Sequence, residues 1–366
     1  MISRLVQLCP VVYGPGAISQ VGDICKEMGI TRAFIVTGPH VNASGVVKKA
    51  TDAMDAAGVA YEIYDGCLRD APDYTVEEAG NAAKAFGADG IIGIGGGSVL
   101  DAAKTAAIAA NNPSLDEKGV YQLAWAKKPL PLILIGTTAG TGSEVTYVSV
   151  MTNENGMKKS IHHDDLYAKY AFSDPRYTAS MPYPVRVSTA IDALAHLLES
   201  YFNNKADDIS RAYVYEGIRL LYPKLLKLHS KEELSMEDLE TIYNASILGG
   251  MAINITGTVF CHTLGYYFTE TYHLPHGFAC ALFTNDLLEY EDTHHKEYSD
   301  RLYETLQISK EDLEKLIAGL LPDYDLHLSE EEIRNLLPRY ENNGSVKNTY
   351  GNMNIKDIEE VLSGLG

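Results

Sequence analysis

Along the first half of the chain, short apolar runs alternate with longer stretches of helical character. Ala33 to Val36, Tyr61 to Tyr64, Gly90 to Ile94 and Leu132 to Gly136 are brief enough, and apolar enough, to predict strands. Strands that alternate with helices signal a parallel sheet covered on both faces. After the proline-punctuated segment SDPRYTASMPYP the pattern changes, and Val187 to Phe202, Ile209 to Leu228, Met236 to Ile255 and further segments read as helices. The predicted architecture is an α/β N-terminal domain with a parallel sheet over 1–183, followed by an all-α C-terminal domain over 184–366. No internal repeat or low-complexity tract interrupts it, and Glu330 to Glu332 is too short a charge run to form a tail.

Two loops in the first domain carry candidate chemistry. The strand ending near Ile94 runs into Gly95, Gly96 and Gly97, and a helix follows, with Ser98 expected as its N-cap and Asp101 completing a capping box. Amides at such a helix start present positive charge, and glycines let a phosphate approach without interference from Cβ. The spacing is neither Gly-x-Gly-x-x-Gly nor a P-loop. A second loop, Thr137-Thr138-Ala139-Gly140-Thr141-Gly142-Ser143-Glu144, follows the Leu132 to Gly136 strand and is dense in hydroxyls. Two such loops at strand ends predict a crevice for a long phosphorylated cofactor. Lys104, on the helix between them, is read as a surface residue.

The second domain carries a candidate metal centre. Asp192 and His196 are four residues apart in VSTAIDALAHLLESYF, so on a helix both lie on one face. A carboxylate in an otherwise apolar helix is costly to bury unless paired or metal-bound. His262 lies in the apolar segment TGTVFCHTLGYYFT, and His276 in HLPHG, where Pro275 is expected to end regular structure and Gly277 to permit an unusual turn. One carboxylate and three imidazoles could close around a divalent ion. Among the other histidines, His162-His163 and His294-His295 read as solvated pairs, and Cys261 reads as a small buried hydrophobe.

The motifs GGGSVLDAAK, TTAGTGSEVT, AIDALAHLLESY and HLPHG, in this order, resemble those of the iron-containing (group III) alcohol dehydrogenases. The resemblance runs from VVYGPGAISQVG to NIKDIEEVL. It implies a dehydroquinate synthase-like nucleotide-binding fold, a helical domain, and a cleft between them holding Fe²⁺ or Zn²⁺ on Asp192, His196, His262 and His276. It assigns Gly95, Gly96, Gly97 and Ser98, with Asp101 on the same helix, to the pyrophosphate loop; Thr137, Thr138 and Thr141 to the loop beside the nicotinamide ribose; and Lys159 to a cofactor contact. Three positions depart from the family pattern. Tyr266 stands where many members carry a histidine that assists proton transfer, which leaves Tyr266 or His273 as the expected relay. Gly38 stands where NAD-preferring relatives often have aspartate, which tilts the expectation from NAD(H) towards NADP(H). Ala71-Pro72 replaces the usual Asn-Pro, deleting a polar contact with the cofactor.

Composition limits the alternatives. A formal net charge of −19 argues against nucleic acid as a partner. No signal-peptide pattern or bilayer-length apolar run is present, so a cytoplasmic protein without a membrane partner is expected. Five scattered cysteines without a CxxC pair argue against a disulfide framework. The expected activity is hydride transfer between NAD(P)(H) and a short-chain primary alcohol or aldehyde, in a homodimer by the family's habit. The chain is also similar to the butanol and 4-hydroxybutyrate dehydrogenase branches, which makes succinic semialdehyde reduction an alternative. A glycerol-dehydrogenase-like polyol oxidoreductase is the next, although its metal site usually has fewer imidazoles. A structural subunit with a relic cofactor site is disfavoured by the intact ligand set.

Overall fold

The computed structural model describes residues 6–112, 115 and 117–365. Contacts divide the chain into two units, Gln7–Met181 and the part from Pro182 onwards. The first contains strands β1 (Val11–Tyr13), β2 (Arg32–Thr37), β3 (Ala60–Tyr64), β4 (Gly90–Gly95), β5 (Leu132–Gly136), β6 (Val148–Thr152), β7 (Lys158–His162) and β8 (Tyr170–Ser173). The four strands expected from the apolar runs are present to within a residue at each end. β1, β8 and the antiparallel hairpin β6–β7 were not expected, because they are three to five residues long and β7 (KKSIH) carries little apolar signal.

Six strands form one parallel sheet in the order β1-β8-β5-β4-β2-β3. The chain steps from β2 outwards to β3 and returns to place β4 on the other side of β2, so the direction of winding reverses between β2 and β4. Ligands of open α/β sheets bind outside the carboxyl ends of the strands at such a reversal. Thr37 pairs with Ile94 and Gly95 with Gly136, which brings the ends of β2, β4 and β5 level and sets their loops side by side.

Small residues hold this layer tight. A Cβ on Gly93 would lie 2.7 Å from Ala103 Cβ and 2.8 Å from Leu134 Cδ2, so the alanine-rich helix Gly97–Asn111 packs directly on β4. Gly80, on the helix Asp73–Phe86, approaches Ala109 in the same way, with 2.6 Å from its Cβ position to that of Ala109.

In the second unit the helix Tyr183–Tyr201 is buried at nearly every position from Val187 onwards. A helix buried all round is a core helix, and this one packs against the helices Asp208–His229, Met236–Thr256 and His276–Ala281. Apolar contact does not explain its stripe of Ser188, Asp192, His196 and Glu199, spaced by four, four and three residues on one side. No single helix among the described residues is long and apolar enough to cross a membrane.

Of the expected solvated pair, His294 is exposed, but His295 is half-buried against Glu291. His295 Nδ1 lies 2.9 Å from Oε2 of fully buried Glu291, whose Oε1 has no hydrogen-bond partner among the described residues. Burial pushes the Glu291 carboxyl from 4.5 up to about 9, so between these values the folded chain keeps a proton that the unfolded chain releases. Stability therefore falls as pH rises through that window, with a slope of up to about 1.4 kcal/mol per pH unit. Glu291→Gln should flatten this slope, and urea denaturation at pH values spanning the window should show the variant gaining on the parent as pH rises. Parallel curves would contradict it.

Candidate active site

The second unit gathers Asp192, His262, His276 and Cys280 so that one donor atom from each lies within 4.8 Å of all the others. Asp192 comes from the core helix, His262 from the helix Phe260–Tyr272, and His276 and Cys280 from the short helix His276–Ala281. Glycines bring these elements together. A Cβ on Gly277 would lie 1.8 Å from Ser188 O and 2.9 Å from Asp192 Cβ, and one on Gly265 would lie 2.9 Å from Ala279 O. This corrects the expected turn: Gly277 is helical and is needed for close approach, Pro275 is the N-cap of a new helix, and the left-handed residue in this connection is His273 (φ 55).

Asp192 and His262 are almost fully buried, and His262 Nε2 lies 3.5 Å from Asp192 Oδ1. Neither of these two atoms has a hydrogen-bond partner among the described residues. Leaving such groups unpaired is costly, so two orphaned donor atoms aimed at one space suit a shared cation. Burial alone would raise the Asp192 carboxyl, but the imidazoles of His196, His262 and His276 outweigh it and hold the group well below the ordinary carboxylate range. His262 shifts the other way. Burial pulls it down, yet the Cys280 sulfur and the carboxylates of Glu199 and Asp192 raise it well above the ordinary imidazole value.

Sequence reasoning did not single out Glu199. Its Oε1 pairs with His262 Nδ1, while its Oε2 accepts from the Val259 amide at 2.7 Å and the His262 amide at 3.4 Å. One carboxylate thus caps the Phe260–Tyr272 helix and fixes the His262 ring so that Nε2 faces the cluster, the arrangement that orients metal-binding histidines. The available signal was its position, seven residues beyond Asp192 on the same helix face.

His196, expected as the fourth ligand, lies outside the mutually close group. Its ring stacks on that of His262 with centroids 4.5 Å apart and planes at 21°. Cys280 stands inside the group instead, and burial pushes its thiol up to about 11. Cys261 is the buried small residue expected, and its Sγ donates to Phe283 O at 3.3 Å. Tyr266 stacks on His276 with centroids 5.7 Å apart and planes at 14°, whereas His273 is an exposed helix C-cap.

In the first unit the two cofactor-loop candidates touch. A Cβ on Gly96 would lie 3.1 Å from Thr138 Cγ2, and one on Gly97 would lie 2.7 Å from Thr141 Cγ2. Gly96, Gly97, Ser98, Thr138 and Thr141 are half-exposed between buried neighbours such as Thr137, so hydroxyls and helix-start amides share one reachable surface. The expected capping box is absent. Gly96 is the N-cap, without a side-chain bond, and Ser98 Oγ accepts from the Asp70 amide at 3.0 Å. Asp101 braces the second loop, with Oδ1 accepting from Ser143 Oγ at 2.6 Å and Oδ2 from the Val150 amide at 3.1 Å.

Lys104 is not a surface residue. It is fully buried, and its ammonium donates to Ser143 Oγ at 2.7 Å, Thr146 Oγ1 and Asp101 Oδ1 at 3.3 Å, and the Val148 carbonyl. Lys159 is exposed, with its ammonium 4.1 Å from the centre of the Tyr121 ring. Its neighbour Lys158, on the opposite face of β7, reaches Asp70 Oδ1 at 2.7 Å and so stands next to Ser98. Gly38 follows β2 as the N-cap of the short helix Pro39–Ala43, and a Cβ there would lie 3.1 Å from Cys67 O.

Comparison with known proteins gives a consistent result. Residues 10–175 match the iron-containing alcohol dehydrogenase family, and residues 186–334 match the C-terminal region of Fe-containing alcohol dehydrogenases. The chain is 33% identical over 279 residues to a sulfoacetaldehyde reductase of Bilophila wadsworthia, covering 75% of this chain and 72% of that protein. It is 35% identical over 273 residues to long-chain-alcohol dehydrogenase 1 of Geobacillus thermodenitrificans, covering 72% and 67%. An iron-containing alcohol dehydrogenase structure from Thermotoga maritima aligns with a TM-score of 0.90 at 29% identity, covering 100% of this chain and 99% of that one.

Proposed function

Since this chain belongs to the iron-containing alcohol dehydrogenases, oxidoreductases that use a metal and a nicotinamide cofactor, we propose that it interconverts a short-chain primary alcohol and its aldehyde. Asp192, His196, His262 and His276 are the proposed metal-holding residues. The observation that carries this reading is the pair of orphaned buried atoms, Asp192 Oδ1 and His262 Nε2, directed into one space beside His276. When bound, a divalent metal supplies the Lewis acidity that lowers the pKa of a substrate hydroxyl or polarises a carbonyl.

The remaining roles fall to the protein. Glu199 holds the His262 tautomer that leaves Nε2 available. Gly95 to Ser98, with Thr137, Thr138 and Thr141, bind the dinucleotide through amides and hydroxyls, while Asp101 and Lys104 keep the two loops in register. Gly38 offers no carboxylate to repel a 2′-phosphate, which supports a preference for NADP(H). Tyr266, stacked on His276, is assigned to moving the substrate proton towards solvent. Tyr266→Phe with an unchanged rate and pH profile would remove it from that role.

The decisive experiment is anaerobic metal analysis combined with oxidation and reduction assays over a panel of short-chain alcohols and aldehydes, with NADH and NADPH tested separately. Absence of nicotinamide-linked turnover after Fe²⁺ or Zn²⁺ is restored would overturn the reading. A narrower prediction concerns Glu199→Gln, which keeps the shape but weakens the hold on His262. Metal affinity should fall about 10- to 100-fold, read by competition with a chelator. An unchanged affinity would deny Glu199 its orienting role.

A further inference from the structure

Cys280 stands among the proposed metal-holding side chains, and the reading above gives it no task. It follows His276 by four residues on the same short helix, so both side chains lie on one face. Its Sγ lies 3.7 Å from His276 Nδ1 and 3.8 Å from Nε2. It is fully buried, and it belongs to the group whose donor atoms all lie within 4.8 Å of one another. Cys261, an equally buried thiol on the neighbouring helix, has a backbone carbonyl as its partner. The partners of Cys280 are imidazole nitrogens.

We propose that the Cys280 sulfur is itself a metal donor, joining Asp192, His196, His262 and His276 around the ion. The inference rests on the metal-dependent reading above and adds to it. Asp192 Oδ1 and His262 Nε2, the two buried atoms without hydrogen-bond partners, belong to the same group of donor residues as this thiol. Coordination replaces the Sγ–H bond by an Sγ–metal bond, the proton leaves to solvent, and no electron is transferred. One carboxylate and one thiolate then balance a divalent charge. Thiolate donors shift preference towards zinc, and they are compatible with alcohol chemistry at a catalytic zinc.

The test is X-ray absorption at the zinc edge on the full-length, zinc-loaded protein. The expected spectrum contains a sulfur scatterer at about 2.3 Å beside nitrogen and oxygen at about 2.0–2.1 Å. Cys280→Ser should lose the sulfur shell while Cys261→Ser retains it, and the preference for Zn²⁺ over Fe²⁺ should drop by on the order of tenfold in Cys280→Ser. A shell of nitrogen and oxygen alone in the unmodified, catalytically active zinc protein overturns the inference and leaves the oxidoreductase reading intact. A chain that binds neither zinc nor iron overturns both. If Cys280→Ser does not fold, the spectrum of the unmodified protein still decides.

Discussion

Replacing Asp192 by asparagine is expected to abolish tight metal binding and to lower kcat/KM by about a thousandfold or more, equivalent to about 4 kcal/mol of transition-state stabilisation. The substitution preserves shape and removes the negative charge around which His196, His262 and His276 are assembled. An amide cannot balance a divalent ion, and its NH₂ group is a donor where the cluster needs an acceptor. Stoichiometry by elemental analysis and turnover with either nicotinamide cofactor provide the readout. A variant that keeps one tightly held metal and near-parental activity would show that Asp192 has only a structural role.

The second large effect is expected in the other unit. Lys104→Met strands the Asp101 carboxylate and removes the donor shared by Ser143, Thr146 and Val148. Breaking one side of a buried ion pair costs about 3–5 kcal/mol. Burial depresses the Lys104 pKa and Asp101 pulls against it, so the ammonium depends on that carboxylate. Because Asp101 and Ser143 brace the loop that carries Thr137, Thr138 and Thr141, the Michaelis constant for the dinucleotide should rise at least about tenfold, a loss of about 1.4 kcal/mol in ground-state binding, while kcat changes less. Adding Asp101→Leu should recover part of the lost stability, since an apolar pair can substitute for a buried ionic one. Equal denaturation midpoints for Lys104→Met and the parent would exclude a stabilising role for this pair.

The strands with strong apolar signal, and the change from alternating elements to continuous helix, were legible because burial imposes a period on the chain. So was the proximity of Asp192, His262 and His276, through the cost of placing a carboxylate in an apolar helix. Other features depended on pairings that local sequence does not encode. Lys104 looks like any helical lysine until the hairpin β6–β7, itself weakly marked, brings the Val148 carbonyl to it. Ser98 and Asp101 have capping-box spacing, but Asp70 and Ser143 engage them first. In β7 a one-residue offset decides whether Lys158 or Lys159 faces Asp70, and the pattern KKSIH does not fix that phase. Cys280 and Glu199 were accessible in principle, since both lie at helical spacing from residues already selected.

The stripe of ionisable side chains along the innermost helix has a consequence beyond catalysis. In a chain that has not yet met its ion, the Asp192 carboxylate lacks the cation it would balance, and a ligand that binds only the folded form stabilises it by mass action. The lifetime of newly synthesised copies would then follow the supply of divalent cations, because chains left unfilled open more often and are the ones that proteases clear.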